Sequence, residues 1–282
     1  MRMRVLSGAA IGALAMVASA SPAAAQDANG ESHFDGPYVG GSFGLSMNQN
    51  NRGETILFDT NQDGRFGDRV NTAAGANAFS PGFCNGAATS SAPGNCENDQ
   101  DDMEYYGRVG FDSQMGNFVV GVVGEFGKSE IRDSVSGFST TPALYTMTRE
   151  FDWNASIRGR AGYAAGGKTL FYVAGGPAYA RIKNSFTTSN GANGFTSTDS
   201  RHNSWGVTGG GGVEQKLGSN FSIGLEYMYN QYQDDDYRVR AGPGTAPATN
   251  PFLLVNAGGT DFARSEDKFK FHSVRATAAF RF

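Results

Sequence analysis

Along much of the chain apolar and polar residues alternate one by one, the period that sends successive side chains to opposite faces of a β-strand. The pattern is clearest over residues 151–163. There Phe151, Trp153, Ala155, Ile157, Ala161 and Tyr163 share one face, and Asp152, Asn154, Ser156, Arg158 and Arg160 share the other. Residues 221–230 repeat it, with Phe221, Ile223, Leu225, Tyr227 and Tyr229 opposed to Ser222, Gly224, Glu226, Met228 and Asn230, and residues 274–282 repeat it again. Less even segments at 38–47, 103–112, 118–128, 170–183 and 205–216 complete a set of eight expected strands. In the segment 170–183 the run Gly175, Gly176, Pro177 leaves the outward parity open.

The connections alternate between tight turns (115–117, 166–168, 218–220) and long polar loops (48–102, 132–150, 186–203, 239–266). Short turns on one side and long loops on the other are the rule for barrels of outer membranes, and an even strand number puts both chain ends on the periplasmic side. The expected fold is therefore all-β: an eight-stranded antiparallel transmembrane β-barrel of up-and-down topology. A soluble lipocalin-like barrel with an apolar interior is the competing reading. Against it, the arginines and glutamates share the non-aromatic face, aromatic residues recur near strand ends, and the last residue is Phe282. In lipid the apolar face must point outward and every backbone group must be paired, which closure achieves.

The first 25 residues read as a cleaved signal peptide: Arg2 and Arg4, an apolar run over 5–18, then Ala23, Ala24 and Ala25. That run is shorter than the roughly 20 residues a membrane-anchoring helix needs. Residues 26–35 are then a periplasmic stub and 36–282 the barrel, with 48–102 its long outer loop. Removal of the peptide takes the formal charge from −4 to −6, and a mildly acidic chain is a poor nucleic-acid binder. In an exported chain Cys84 and Cys96 are expected to pair, closing part of the outer loop. Their spacing is not that of a catalytic dithiol.

Several stretches resemble a known family. Residues 35–44 (Asp-Gly-Pro-Tyr-Val-Gly-Gly-Ser-Phe-Gly) look like the opening strand of the outer-membrane β-barrel surface-antigen family, which groups eight-stranded, porin-like and opacity-type proteins of alphaproteobacteria. Residues 155–162 followed by 170–180 resemble its central hairpin, and 221–229 its seventh strand. The ending resembles its C-terminal signal, with Phe280 and Phe282 as the residues that the barrel-assembly machinery reads. The resemblance implies the fold and a place in the outer membrane. It implies little about activity, since the family holds mostly surface antigens and small pores, and the long first loop departs from its usual short one.

With the aromatic face outward, Arg108, Glu125, Arg158, Arg160, Glu214, Glu226 and Arg275 point into a lumen only wide enough for side chains. They are expected to form a paired polar core; a narrow ion path is the sharper alternative. In the first loop Asp59, Asn61 and Asp63 stand at positions one, three and five of a calcium-loop pattern, with Gly64 at six and Arg65 supplying a carbonyl at seven. Position twelve is Val70, and Asp68 at position ten is the expected substitute; a solvated turn is the plain alternative. The loop carries eight acidic and three basic residues, so Ca2+ would also relieve repulsion.

Catalysis is not expected. His202 and His272 sit on strands six and eight, which are not neighbours, and no nucleophile motif surrounds either. The glycines 209–212 suit a crowded wall better than a nucleotide site. Asp234, Asp235 and Asp236 read as a solvated charge run, or as a contact for divalent ions bridging lipid phosphates. The expected function is that of a non-enzymatic outer-membrane surface protein, membrane-stabilising and antigen- or adhesin-like. Outer-membrane lipid surrounds it, and a host or extracellular ligand reaches its loops. A small porin or channel is the alternative.

Overall fold

The computed structural model describes residues 34–49 and 53–282, so the expected signal peptide and all of the stub but Phe34 and Asp35 lie outside the described residues. Eight long strands pair antiparallel in sequence order. They are β1 (Gly36–Asn48), β2 (Asp102–Met115), β3 (Phe118–Ser129), β4 (Ala143–Ala165), β5 (Thr169–Thr188), β6 (Arg201–Lys216), β7 (Phe221–Gln233) and β8 (Lys268–Arg281). β8 returns to β1 with Tyr38 opposite Arg281, which closes the sheet and leaves no free edge.

The outward face is apolar and exposed, with Phe43, Leu45, Val109, Val122, Ile157, Val173, Val207 and Leu225 among its residues. Such a belt is stable only against lipid. Aromatic rows bound it. Phe118 meets Tyr163 near the short turns, and Phe126, Trp153, Tyr179 and Trp205 form a continuous row near the long loops, with ring centroids 4.8–5.9 Å apart. From Phe171 to Tyr179 or from Phe221 to Tyr229 the belt has about the 9–11 residues per strand that a tilted strand needs to cross a bilayer.

Parity departs from the sequence expectation at one place. Phe151 is buried inside the barrel, although it alternates in sequence with the outward Trp153. The register of β4 against β5 slips between Arg181 and Ile182, so Asp152 is bulged out, and the residues before it change face. The parity of β5, left open by Gly175 to Pro177, is settled throughout: Leu170, Tyr172, Ala178, Ala180 and Ile182 are buried, while Phe171 and Val173 face outward.

The glycine run of β6 has a packing reason. A Cβ on Gly212 would lie 2.5 Å from the Leu225 carbonyl and 2.8 Å from the Tyr172 hydroxyl. Gly212→Val is expected to cost about 1–3 kcal/mol of barrel stability as an overpacking change. The urea midpoint of the folded, heat-modifiable band reads it; an unchanged midpoint would mean the wall yields there.

The long loops are not the loose polar segments that their composition suggests. β4 begins at Ala143 and β5 ends at Thr188, so both continue beyond the lipid belt, and the strand Arg132–Ser139 pairs with the extended top of β4. Ile56–Asp59, Gly194–Ser197, Val239–Gly242 and Thr260–Arg264 form a separate four-stranded sheet from three different loops. Together they bury a core that includes Ile56, Phe58, Val70, Phe79, Tyr145, Phe252 and Phe262. The result is a folded cap over the outer mouth. Cys84 and Cys96 are joined within it, on the strands Phe83–Asn85 and Cys96–Glu97.

Candidate functional site

Side chains fill the barrel in layers, and each layer follows from inward parity on neighbouring strands. At the periplasmic end Phe34 is fully buried beside Val119, Ala164 and Leu170, with the Lys216 and Arg281 cations over its ring. Above it Arg160 of β4 is clamped between Asp112 of β2 and Glu214 of β6, the latter at 2.9 Å. Arg281 joins both acids, and the Tyr38 and Tyr172 rings each lie 5.0 Å from the Arg160 guanidinium.

The next layer holds Arg108, Arg158 and Arg275 against Glu125 and Glu226. Arg158 lies 2.6 Å from Glu125 and 3.4 Å from Glu226, Arg275 lies 2.9 Å from Glu226 and 3.3 Å from Glu125, and Arg108 lies 3.3 Å from Glu125. Glu104 completes the charge balance and accepts hydrogen bonds from Ser46 and Ser273. All seven lumen residues named from sequence are 0–6% exposed and fall into these two connected layers. Sequence reasoning missed Glu104 and Asp112, although both lie on the inward parity of β2. It also missed the inward tyrosines, because alternation assigns rings to the lipid side by default.

An apolar plug of Ile131, Phe151, Ile182, Tyr232, Phe269 and Phe271 closes the barrel above the charges, with Phe151 and Phe269 stacked at 4.6 Å. Above the plug, outside the lipid belt, a second buried ion-pair cluster joins the barrel rim to the cap. Arg149 of β4 reaches Asp133 at 2.6 Å and Asp234 at 3.1 Å. Arg264 reaches Asp133 at 3.0 Å and Glu54 at 2.7 Å, and donates to the carbonyls of Asp133 and Met147. His202 of β6 lies 3.1 Å from Asp234. Asp234 is thus buried and paired, a correction to its reading as part of a solvated charge run; its packing partners come from β4, β5 and β6, which adjacent sequence does not show.

This cluster sets a pH dependence. Burial raises the Glu54 carboxyl despite Arg264, and pushes Asp99, which accepts the Ser134 amide beside Asp133, up to about 7. Burial would also raise Asp133, but Arg264 and Arg149 outweigh it and hold that carboxyl low; at Asp234 the His202 hydrogen bond and Arg149 do the same. The Asp234 hydrogen bond raises His202 above 6.5, outweighing burial.

Raised groups bind protons more tightly in the fold. The Asp99 contribution is therefore lost as pH rises from 3.8 towards about 7, and the His202 contribution is lost as pH rises past 6.5. The lowered Asp133 and Asp234 contribute above 3.8 and lose that contribution as pH falls through their folded values. Cap stability is expected to peak at about pH 4, just above the ordinary aspartate value of 3.8, and to fall from there towards pH 8. Urea midpoints followed by near-ultraviolet dichroism of the cap tyrosines check this, and Asp99→Asn should flatten the slope between pH 5.5 and 8. A cap most stable at pH 8 would contradict the assignment.

The calcium-like pattern folds into a hydrogen-bonded turn. Asp59 accepts the amides of Asp63 and Gly64, Asn61 accepts the Asp63 amide, and Asp63 accepts the Arg65 amide. Gly64 supplies the positive φ of 84° that the turn requires. The Asp68 carboxylate is held by the Thr60 amide and hydroxyl, both at 2.8 Å. Among the described residues no group of three or more His, Cys, Asp or Glu side chains is gathered as metal ligands would be. His272 faces outward, bonded to the Tyr227 hydroxyl and to Gln49, on a strand that does not neighbour the one carrying His202.

The family model described as outer membrane protein beta-barrel domain matches residues 11–282. A 22 kDa outer membrane protein of Rhizobium leguminosarum bv. viciae is 32% identical over 163 residues, covering 57% of this chain and 68% of that protein. A 31 kDa outer-membrane immunogenic protein of Brucella melitensis is 27% identical over 177 residues, covering 62% of this chain; the match spans only 64% of that relative. Among solved structures, the outer membrane protein OprG of Pseudomonas aeruginosa superposes with a TM-score of 0.45 at 11% identity, over 89% of this chain and 99% of that one. The closed eight-stranded wall, its exposed apolar belt and the match over nearly the whole chain agree, and the chain belongs to the outer membrane protein β-barrel family.

Proposed function

We propose that this protein is a non-enzymatic surface protein that reinforces the outer membrane and holds a folded cap outside it for recognition, an antigen- or adhesin-like role towards a host or extracellular ligand. The observation that carries this reading is the cap itself: three long loops contribute to one sheet with its own aromatic core, over a lumen that paired charges and a ring plug fill. A channel has no use for such filling, and a purely structural barrel has no use for so ordered an exterior. The Brucella relative is named an immunogenic protein, which supports an exposed and recognisable exterior. Calcium is not needed in this reading, since Asp59 and Asp68 are already engaged by the chain's own donors.

Two measurements test it. In planar bilayers the folded protein is expected to show no conductance steps. Reproducible steps that shift in Arg158→Ala and Glu226→Ala would overturn the reading in favour of a small-solute channel. In the second, bacteria displaying the protein are expected to adhere to epithelial cell layers. Adhesion should fall at least about twofold with Leu254→Asp and Val255→Asp, which are 41% and 63% exposed at the cap. Adhesion equal to that of non-displaying bacteria would remove the adhesin-like role.

A further inference from the structure

Immediately above the aromatic row Phe126, Trp153, Tyr179, Trp205, the outward wall of β3 to β6 changes from apolar to charged. Arg181 pairs in register with Trp153 on one side and Asn203 on the other, and Lys183 pairs with Glu150 and Arg201. Arg132 stands opposite Glu150, and Lys128 opposite Tyr105. Five cations, Lys128, Arg132, Arg181, Lys183 and Arg201, thus share this half of the wall with three carboxylates, Glu130, Glu150 and Asp152. The carboxylates hold the cations in a row. Glu150 lies 2.6 Å from Lys183 and 3.0 Å from Arg132, Asp152 lies 3.1 Å from Arg201 and 3.8 Å from Arg181, and Glu130 lies 2.8 Å from Lys128. The bulge in β4 is what brings Asp152 out between the two arginines.

Exposed ion pairs of this kind contribute little to stability, so folding does not account for the cluster. Its height does suggest a role. Arg181 lies two positions beyond Tyr179, about 7 Å along a strand, which is the depth of the headgroup layer above a girdle ring. Arg181 and Arg201 remain 49% and 51% exposed and Arg132 68% exposed, with guanidinium donors to spare after pairing. The opposite wall lacks this excess. There β8 offers Lys268 and Lys270, the latter paired with Glu266 at 3.1 Å.

We propose that this wall is a docking surface for the phosphate groups of a phosphorylated lipid of the outer leaflet, with its acyl chains on the girdle row and its phosphates on Arg181, Lys183, Arg201 and Arg132. Arginine forks match phosphate oxygens bidentately, and juxtamembrane cations are the general means of holding anionic headgroups. The excess of positive charge on one side of the barrel makes the lipid shell asymmetric and orients the barrel within it.

The test uses the protein folded in phosphatidylcholine nanodiscs carrying a few per cent of bisphosphorylated lipid A or of the same lipid stripped of phosphate, with retained lipid counted by native mass spectrometry. The phosphorylated form is expected to be retained about tenfold better. The triple variant Arg181→Gln, Lys183→Gln, Arg201→Gln should lose that preference, while Lys268→Gln with Lys270→Gln on the opposite wall should keep it. Equal retention of the stripped lipid, an unaffected triple variant, or full displacement by millimolar inorganic phosphate would each overturn the proposal. If the triple variant does not fold, the phosphate preference of the unaltered protein decides alone.

Discussion

Arg158→Ala is expected to destabilise the folded barrel by about 3–5 kcal/mol, the loss typical when one partner is removed from a buried ion pair. Arg158 is fully buried, and its guanidinium lies between Glu125 and Glu226. Its removal leaves three glutamates of the layer facing two arginines, all of them nearly fully buried. The cost comes from the orphaned carboxylates and not from the intrinsic worth of the pair. Arg158→Met together with Glu125→Gln keeps the layer neutral, and should recover more than half of the loss. Urea titration of the folded barrel in lipid vesicles, read by the heat-dependent shift in gel mobility, measures both. A loss under about 1 kcal/mol would mean that the layer is hydrated, because exposed pairs contribute no more than that. It would also weaken the view of the lumen as filled.

The barrel was legible in the sequence because a lipid-facing wall imposes alternation on its strands, clearest in three of the eight, and strand period and loop asymmetry are both local signals. Arg158, Arg160, Glu226 and Arg275 could be placed inside from parity alone. Phe151 could not, since a one-residue bulge at Asp152 reverses parity without any mark in the alternation. The cap was illegible for a different reason. Its core residues come from short apolar runs such as 56–58 and 252–255 and from single side chains such as Val70, Phe79 and Phe262, set far apart in polar surroundings with no common period. They come together only because the barrel brings four loops to one mouth. Likewise Glu54, Asp133, Asp234 and Arg264 lie on different loops, so their pairing is visible only in three dimensions. The acidic pattern around Asp59 stays open for another reason: residues suited to a cation serve equally well to tie a turn, and spacing alone does not separate the two.

Arg264→Ala is expected to release the cap while leaving the barrel folded. Arg264 holds Glu54 from the first loop, Asp133 from the second, and two carbonyls on the barrel rim, all from the base of the fourth loop. Its loss strands the buried Glu54 carboxylate and two carbonyl acceptors and takes from Asp133 one of its two cations, Arg149 remaining, which puts the local cost at about 3–5 kcal/mol. The apolar plug around Phe151 and Phe269 separates this cluster from the lumen charges, so the damage has no charged route into the barrel. Hydrogen exchange should therefore show fast exchange in 53–80 and 237–264, with β1 to β8 still protected within the lipid belt. Arg264→Lys keeps the charge but loses the fork, and should fall between the two. Because burial already raises Glu54, lowering the pH towards 5 lets the stranded carboxyl take up a proton, and the defect of Arg264→Ala should shrink there relative to pH 8. Exchange that quickens equally in cap and barrel would show instead that the two form one cooperative unit, and the cap could not then open without the membrane-spanning wall.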